Sequence, residues 1–382
     1  MVQWRRERRE QFALFSLLLL LVLGLCLTGC EPQDKASEKV IYVPVLADAS
    51  WLLEDGSFMK GVEMAVEELN GEYGERGFVV KTAVIDDQAR YELGVEKAME
   101  LAADPSVTAV LNLQNFDVSK TTADILARSK RPILFPYGAY DSLFTKGNNY
   151  LFCGVPSFSD LGQAMALYVK EHGFRRIAVY YNGVQSQNEL VTAFELALMD
   201  SQAKIVDYVS SIVSSSHFTP IYNRWEALGV DAVVIAQYGL PEAFAVLEII
   251  RERDQRLAVI GEPIFNRANV LAQHKEAAEG MVVPSTLVLE ESSLLLDFQS
   301  RYSEKYGEEA DTWAVQGYDM MRLVADNFVA LENPEPSVLA STLHSEEGYQ
   351  GAGRRIRFEP GGALVVDIAK LPMLTSRNGR FE

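Results

Sequence analysis

The sequence predicts an α/β protein made of two doubly wound lobes, each built around a parallel sheet. Short runs of apolar, often β-branched residues alternate with longer segments whose apolar residues recur at helical spacing. The short runs are continuously apolar, which is typical of parallel strands that helices cover on both faces. The alternation restarts after Pro156, and 382 residues suit two domains of about 100–200 residues each. Right-handed crossovers would give each half its own sheet.

The first half contains four predicted strands with helices between them. Its first helix carries Phe58, Val62, Ala65, Val66 and Leu69, which recur at helical spacing and therefore share one apolar face. The predicted strands are 40–46, 78–85, 107–113 and 132–135, and the predicted helices are 58–69, 93–103 and a third that ends near residue 129.

The second half repeats the alternation. The predicted helices are 157–171, 189–199, 217–228 and 241–253, and the predicted strands are 176–181, 203–209, 231–235 and 257–260. Pro241 stands near the start of its helix, where the fixed φ and the missing N–H donor of proline are tolerated.

The last third of the chain departs from this alternation. Three helical segments, 294–306, 313–331 and 336–343, have no strands of their own and must pack on an existing sheet. Residues 354–358 and 364–368 flank Glu359-Pro360-Gly361-Gly362, a pattern that predicts a hairpin with a glycine-bearing turn. We expect the chain to return to the first lobe and to end on the second, so that three crossings form the hinge. The expected boundaries are 40–153 plus 287–347 for lobe 1 and 154–286 plus 348–382 for lobe 2.

The N-terminus has the pattern of a secretory signal peptide. Four arginines and two glutamates precede a mostly apolar run at 12–27, which ends in Leu27-Thr28-Gly29-Cys30. This last motif resembles a bacterial lipobox, and the resemblance implies cleavage before Cys30 and lipid attachment to its sulfur and new N-terminus. The alternative is a transmembrane anchor, but an apolar run of 16 residues is short against the ~20 that span a bilayer. We therefore expect a signal peptide at 1–29 and an exported lipoprotein.

Residues 30–39 form the predicted lipidated tether, which would hold a soluble domain at a bacterial membrane, in the periplasm or at the cell surface. Removing residues 1–29 leaves 31 basic and 51 acidic side chains, so the net charge changes from −18 to −20. Because nucleic-acid binding requires a basic surface, nucleic acid is excluded as a partner.

The sequence offers no set of residues for catalysis, and an enzyme is the least favoured class. After Cys26 and Cys30, only Cys153 remains, so no internal disulfide is expected and a buried structural thiol is predicted. Four histidines lie far apart, and the motifs HExxH, GxxxxGK, GxSxG and CxxC do not occur. Asp86 and Asp87 are neighbours at a strand end, and neighbours on a strand point to opposite faces. They are expected to be solvated or capping, and neither a metal nor a cofactor is predicted.

Several short segments, in a fixed order along the chain, match the pattern of one known family. They are Phe-Met-Lys-Gly at 58–61, Ala-Val-Glu-Glu-Leu-Asn at 65–70, Val-Ile-Asp-Asp at 84–87, Arg-Pro-Ile-Leu-Phe-Pro at 131–136, Leu-Phe-Cys-Gly-Val-Pro-Ser at 151–157, His-Phe-Thr-Pro at 217–220, Ala-Glu-Gly at 278–280 and the stretch 351–362. Together these segments resemble the leucine/isoleucine/valine-binding family of periplasmic proteins, which have the type I periplasmic-binding fold and feed ABC importers. The resemblance covers about residues 40–370.

The resemblance implies capture of a small polar solute, such as an amino acid or an amide, between the lobes and its delivery to an ABC permease. A ligand that touches both lobes favours the closed state, so binding and closure are linked. The alternative is a ligand-sensing or regulatory envelope lipoprotein of the same fold, whose partner would be a signalling protein and not a permease.

Candidate ligand contacts follow from the rule that open α/β sheets bind ligands beyond the carboxyl ends of their strands. In the first lobe these are Trp51, Gln114, Asn115, Asp117, Tyr137, Gly138 and Ala139, and in the second lobe they are Tyr181, Tyr238, Glu262 and Phe265. Tyr238 matches a family position at which a tyrosine meets the ligand. The alternatives are a core or rim position for Tyr238 and a wedge between the first loop and the sheet for Trp51.

The residues that hold an amino acid in this family are largely missing here. Asp117 stands where a serine would hold the α-carboxylate, Ala139 supplies no hydroxyl where a threonine is usual, and Glu262 lies one position from the acidic residue that would meet the amine. Backbone amides at the start of the third helix could still hold an anion. Asp117 is expected to be the N-cap of that helix. If it also faces the cleft, it favours a cationic, hydroxylated or amide ligand over a free aliphatic amino acid.

Overall fold

The computed structural model describes residues 38–237, 239–287 and 289–382. The predicted signal peptide, Cys30 and most of the tether lie outside the described residues, as does Tyr238. Among the helices that are described, none combines the length and apolarity that crossing a bilayer requires.

The first lobe is built on a five-stranded sheet whose strands are all parallel. Its strands and helices are β1 (Lys39–Tyr42), β2 (Val45–Ala47), α1 (Ala49–Asp55), α2 (Ser57–Tyr73), β3 (Phe78–Lys81), β4 (Val84–Asp86), α3 (Tyr91–Ala103), β5 (Val110–Asn112), α4 (Phe116–Ala127), β6 (Ile133–Phe135) and β7 (Leu151–Cys153). The sheet has the order β4-β2-β5-β6-β7, and β1 and β3 form a separate parallel pair.

Two strands that were predicted as continuous, 40–46 and 78–85, are each divided into two. The division falls beside Pro44, between β1 and β2. Proline has no N–H to donate to a ladder, so the strand pairing is interrupted there. On either side, the N–H groups of Val43 and Val45 donate to the carbonyls of Lys81 and Ala83, which keeps the two chain segments aligned.

The second lobe is built on a seven-stranded mixed sheet. The elements of the remaining chain are α5 (Phe158–Glu171), β8 (Arg176–Tyr181), α6 (Gln185–Leu198), β9 (Lys204–Val209), α7 (Ser215–Leu228), β10 (Ala232–Ala236), α8 (Leu240–Arg253), β11 (Ala258–Gly261), α9 (Ala268–Leu271), α10 (Lys275–Ala278), β12 (Val282–Pro284), α11 (Ser293–Tyr306), α12 (Thr312–Ala330), α13 (Pro336–Thr342), β13 (Tyr349–Gln350), β14 (Arg355–Ile356), β15 (Met373–Arg377) and β16 (Arg380–Phe381). The sheet order is β16-β15-β12-β11-β10-β8-β9. Five strands are parallel, whereas β15 runs antiparallel to β12, and β16 runs antiparallel to β15.

The helices of the last third return to the first lobe, as the sequence led us to expect. Phe298 of α11 and Tyr318 of α12 belong to the core cluster of the five-stranded sheet. Helices α2 and α12 cross closely because both carry glycine at the contact. A Cβ added at Gly61 would lie 2.0 Å from the carbonyl oxygen of Ala314, and one added at Gly317 would lie 2.2 Å from that of Phe58.

The predicted C-terminal hairpin is wrong in its strands but right in its turn. Strand β14 pairs with β13, and the expected partner strand 364–368 is reduced to one bridge between Phe358 and Leu364. The turn forms, with the Glu359 N–H donating to the Ala363 carbonyl over 2.7 Å. It docks on β7, because the N–H of Cys153 donates to the Gly362 carbonyl over 2.8 Å.

This docking explains a difference from the expected lobe boundary. Ile356, Phe358 and Leu364 belong to the core cluster of the first lobe, although 348–382 were expected in the second. The chain joins the second lobe's core only further on, at Leu371. Cys153 is 1 % exposed, as a structural thiol should be, and burial raises the pKa of its thiol to about 12.

Buried polar side chains of α12 hold the first crossing between the lobes, at Gly154, and the first-lobe segment that contains Ala352 and Gly353. Gln316 donates from Nε2 to the carbonyls of Pro136 and Gly154 over 3.1 and 2.8 Å. Asp319 accepts from the N–H groups of Ala352 and Gly353 over 2.7 and 2.9 Å. Burial raises the pKa of Asp319 to about 6.

The second crossing, at Glu290, is tied to the same cluster. The guanidinium of Arg354 donates to the carbonyl of Gly154 and, over 3.3 Å, to Oε1 of Gln316. The N–H of Glu290 donates to the Gly353 carbonyl over 2.7 Å. Two of the three connections between the lobes, at Gly154 and at Glu290, therefore meet around one polar cluster, which we call the hinge cluster: Gly154, Glu290, Gln316, Asp319, Gly353 and Arg354. The third connection lies beyond it, between Leu364 and Leu371.

Candidate ligand-binding cleft

A cavity of about 450 Å³ lies between the two lobes, beyond the carboxyl ends of their parallel strands. This is the position at which open α/β sheets bind ligands, and the volume falls in the usual range for a small-molecule site. The first lobe lines it with the segments that follow β2, β5 and β6, and the second lobe lines it with the segment that follows β11 and with residues of α6 and α8.

Seven of the predicted contact residues line this cavity. They are Trp51, Gln114, Asn115, Tyr137, Gly138, Ala139 and Glu262. Each follows the carboxyl end of a parallel strand, which is the signal that selected it. Their contact with a ligand stays a prediction.

Asp117 was expected to be the N-cap of its helix or to face the cleft, and it does neither. It lies in the first turn of α4, exposed and outside the cavity lining, where its Oδ1 accepts a hydrogen bond from the Tyr140 hydroxyl over 2.7 Å. The N-cap position belongs to Asn115, two residues earlier. Since Asp117 does not face the cleft, the reason for preferring a cationic or amide ligand over an amino acid is removed.

Two aromatic residues expected in the second lobe's wall also lie elsewhere. Phe265 has no exposed surface and packs edge-on against Phe244, because a short 3-10 turn after Glu262 directs it into the core. Tyr181 packs against Tyr208 with the ring centres 5.9 Å apart, and it does not line the cavity.

Aromatic rings form one wall of the cavity, and the sequence had indicated only part of it. The ring of Tyr137 lies 5.1 Å from Trp51, edge to face, and 5.1 Å from Trp313. Phe116 continues the wall, with its ring centre 6.5 Å from Tyr137 and 5.5 Å from Phe158. Trp313 comes from the first turn of α12, far along the chain, so no local pattern placed it beside Tyr137.

Arg267 reaches from the second lobe onto this wall. Its Nη2 donates to the Tyr137 hydroxyl over 2.6 Å, and its guanidinium carbon lies 5.3 Å from the ring centres of both Trp51 and Tyr137. This distance is within the range of a cation–π interaction. Arg267 follows the 3-10 turn after β11, and no local pattern in the sequence indicated that its side chain would reach the first lobe.

Glu262 is a buried carboxyl at the opposite wall. It is 4 % exposed, and Nε2 of Gln187 lies 3.3 Å from each of its carboxylate oxygens. Burial raises the pKa of Glu262 to about 8, although the hydrogen bonds from Gln187 and from the Gln237 backbone act in the other direction. At neutral pH most of this carboxyl is therefore protonated, and it can donate a hydrogen bond into the cavity.

Gln114 is fixed in place by a polar network behind the cavity wall. It donates from Nε2 to Asp87 over 2.9 Å, and its Oε1 accepts from the Thr122 hydroxyl over 2.6 Å. Asp87 is only 1 % exposed and burial raises its pKa, so it is not solvated, but its Oδ1 accepts from the N–H of Ala89 over 3.0 Å and caps the turn before α3. Asp86 does have a capping role, because it accepts from the N–H of Ala49 over 3.0 Å.

The lobes also touch beside Phe158, which lines the cavity. The carboxylate of Asp141, in the first lobe, accepts from the N–H groups of Phe158 and Ser159 over 2.8 Å each, at the start of α5 in the second lobe. The N–H of Asp141 in turn donates to Glu189 of α6 over 3.0 Å. These contacts, together with the one between Arg267 and Tyr137, connect the two lobes.

Comparisons with known proteins agree with this architecture. A family model described as periplasmic binding protein matches residues 45–369. An ABC transporter substrate-binding protein from Desulfitobacterium hafniense, solved in complex with Leu, is 25% identical, with a TM-score of 0.80 over 90% of this chain and 99% of that one. The branched-chain amino acid transporter substrate-binding protein LivJ from Streptococcus pneumoniae, in complex with isoleucine, is 21% identical, with a TM-score of 0.74 over 90% and 98% of the two chains.

One curated relative shares only a part of its length with this chain. The membrane protein insertase YidC from Cellvibrio japonicus is 31% identical over 133 residues, which are 31% of this chain and 21% of that protein. The chain thus spans about a fifth of the length of the curated relative, and that match carries no conclusion about function here.

Proposed function

Because this chain belongs to the periplasmic binding protein family, we propose that it captures a small polar solute between its lobes and presents that solute to an ABC importer. It is a solute-binding protein of this transporter-linked family and not an enzyme. The solute that we propose is an amino acid or a related compound. Membership of the family implies an extracytoplasmic location, and we propose that Cys30 carries a lipid that anchors the protein to the membrane.

The observation that carries the proposal is a cavity of about 450 Å³ that both lobes line at the carboxyl ends of their parallel strands. Tyr137 comes from one sheet and Glu262 from the other, so a bound solute touches both. Such a solute stabilises the closed arrangement by its contacts with the second lobe, and closure and binding are then one linked equilibrium. A permease can recognise the closed pair of lobes, and the step requires no covalent chemistry.

The first experiment identifies the solute. The full chain is purified in mild detergent and denatured, and mass spectrometry is applied to any compound that it releases. Thermal unfolding is then followed with released compounds and with a panel of amino acids, amides, amines, sugars and nucleobases. A ligand at a hundredfold excess over its Kd stabilises the folded state by about 2.7 kcal/mol, so a true ligand raises Tm measurably.

A matched pair of variants connects the result to this cavity. Trp313→Ala removes a ring from the cavity wall and should abolish or strongly reduce the shift in Tm that the ligand causes. Tyr181→Phe changes an aromatic residue outside the cavity lining and should leave the shift unchanged. If no compound of the panel or of the released fraction raises Tm, or if both variants respond like the parent chain, solute capture in this cleft is excluded.

A further inference from the structure

Arg267 is the single basic side chain among the described residues that line the cavity; the acidic ones are Asp48 and Glu262. Its guanidinium donates to an uncharged partner, the hydroxyl of Tyr137, and otherwise lies over aromatic rings. Within the described part of the chain, no carboxylate forms an ion pair with it. Among the residues that the structure describes, buried arginines without an ion pair, such as Arg251 and Arg354, donate to backbone carbonyls, whereas the guanidinium of Arg267 has only the Tyr137 hydroxyl as a hydrogen-bond partner.

A guanidinium carries five N–H donors in a planar fork, and this fork matches the two oxygens of a carboxylate. The contact with Tyr137 uses Nη2, so most of the donor capacity of Arg267 is left for another partner. The rings of Trp51 and Tyr137 hold the guanidinium at the cavity wall, which fixes the direction of the fork before a ligand arrives. Charge-assisted, two-pronged hydrogen bonds of this kind are the strong ones in proteins.

We propose that the solute carries a carboxylate that binds Arg267, next to a flat apolar group that lies against Tyr137, Trp313 and Phe116. The proposal rests on the function proposed above and adds the chemical class of the ligand. In this proposal Arg267 replaces the hydroxyls that are missing at Asp117 and Ala139. The carboxylate is therefore held from the second lobe and not from the first.

The other polar groups of the cavity fit a monoanion better than a dianion. Asp48 also lines the cavity, and a second negative charge on the ligand would increase its repulsion from this carboxylate. Glu262 is largely neutral at pH 7 because burial raises its pKa to about 8, so it can donate a hydrogen bond to a carboxylate oxygen or ionise beside a ligand amine. The cavity thus accepts a carboxylate with or without an amine.

The test compares carboxylates with their amides, which have almost the same shape and no charge. Calorimetry on the full chain in detergent would use four matched pairs: benzoate and benzamide, phenylacetate and phenylacetamide, L-phenylalanine and L-phenylalaninamide, and L-leucine and L-leucinamide. The carboxylate of at least one aromatic pair should bind roughly 10- to 100-fold more tightly than its amide, as expected for hydrogen bonds to a charged group. L-leucine should bind more weakly than L-phenylalanine.

Three variants separate carboxylate recognition from a purely structural contact. Arg267→Met should reduce the affinity for the carboxylate roughly 10- to 100-fold and leave the affinity for the amide unchanged. The variant should then bind both members of a pair about equally. Arg267→Lys keeps the charge but not the fork, and should give an intermediate affinity. Tyr137→Phe removes only the hydroxyl that Arg267 contacts, and should keep the preference for the carboxylate.

The outcomes distinguish this inference from the function on which it rests. If a solute raises Tm but binds Arg267→Met as tightly as the parent chain, or if amides bind as well as carboxylates, the inference is overturned and solute capture stands. Tyr137→Phe could also lower the affinity as much as Arg267→Met, for the carboxylate and the amide alike. That result would mean that Arg267 only connects the lobes and does not recognise a carboxylate. If neither these compounds nor any compound of the wider panel or of the released fraction binds, the proposed function itself fails.

Discussion

Nη2 of Arg267 and the hydroxyl of Tyr137 lie 2.6 Å apart across the mouth of the cleft. Tyr137 follows β6 of the five-stranded sheet, and Arg267 follows β11 of the seven-stranded sheet. Two residues separated by 130 positions in the chain therefore report directly on the distance between the lobes. Residues far apart in the sequence thus determine the shape of the cleft, and buried groups and close contacts elsewhere in the fold support it.

Glu262→Gln should make the stability of the protein less sensitive to pH. The folded-state pKa of Glu262, about 8, lies above the value of an unfolded glutamate, so the folded state binds the extra proton between these values. The stability linked to this proton is fully present below pH ~4 and is lost as the pH rises through 8. Urea unfolding at pH 5 and pH 9 should show the parent chain losing on the order of 3 kcal/mol more than the variant. Glu171→Gln, an exposed position at the end of α5, is the control and should behave like the parent chain.

Asp319→Ala should loosen the hinge cluster. The substitution leaves the N–H groups of Ala352 and Gly353 without the acceptor that they share, next to the buried guanidinium of Arg354. Loss of a buried acceptor for two donors should lower the free energy of unfolding by about 2–4 kcal/mol. Asp124→Ala, which changes an exposed carboxylate on α4, should cost less than about 0.5 kcal/mol in the same denaturation experiment. An equal loss of stability in both variants would mean that the hinge cluster does not depend on Asp319.

Gly61→Ala should be destabilising, whereas Gly71→Ala on the same helix should not. A Cβ at Gly61 would overlap the Ala314 carbonyl of α12, and nothing lies within 4 Å of a Cβ at Gly71. Separating α2 from α12 to admit the methyl group should cost about 1–3 kcal/mol or more. At Gly71 the substitution should stabilise by about 0.5–1 kcal/mol, because glycine loses more backbone freedom on folding. Thermal unfolding of both variants checks the difference in sign.

Cys30→Ser should release the protein from the membrane fraction. The change removes the sulfur that the lipobox-like motif predicts as the site of lipid attachment, and a single protein domain without a lipid has no comparable affinity for a bilayer. Fractionation of cells followed by mass measurement of the purified chain would show whether the lipid is present. Cys26→Ser, within the predicted signal peptide, is the matched control and should leave the anchoring unchanged. A Cys30→Ser chain that stays in the membrane fraction would argue against lipidation.

The sequence predicted the layers of the fold well because hydrophobic periodicity is local. Both doubly wound units and the return of α12 to the first lobe followed from it. Several strands that were missed are very short: β12 has three residues and β16 has two, which is too few to show a period. Strand β15 was missed as well, although it has five residues. The split at Pro44 shows how one missing donor divides an apolar run that looks continuous in sequence.

The candidate site was predictable only where a strand end determined it. Tyr137 and Glu262 line the cavity because each follows a parallel strand, and that relation can be found in the sequence. The direction of a side chain in a loop cannot be found in this way, which is why Phe265 is in the core and Arg267 is in the cleft. Trp313 required knowledge of how α12 packs against a sheet formed by residues far earlier in the chain.

The hinge cluster ties two of the three connections between the lobes, at Gly154 and at Glu290, to α12 of the first lobe. We expect a rotation of the second lobe to move both connections together. The bridge between Arg267 and Tyr137 and the bridge between Asp141 and α5 should consequently form and break together. A partner that recognises the closed lobes would then meet both bridges formed.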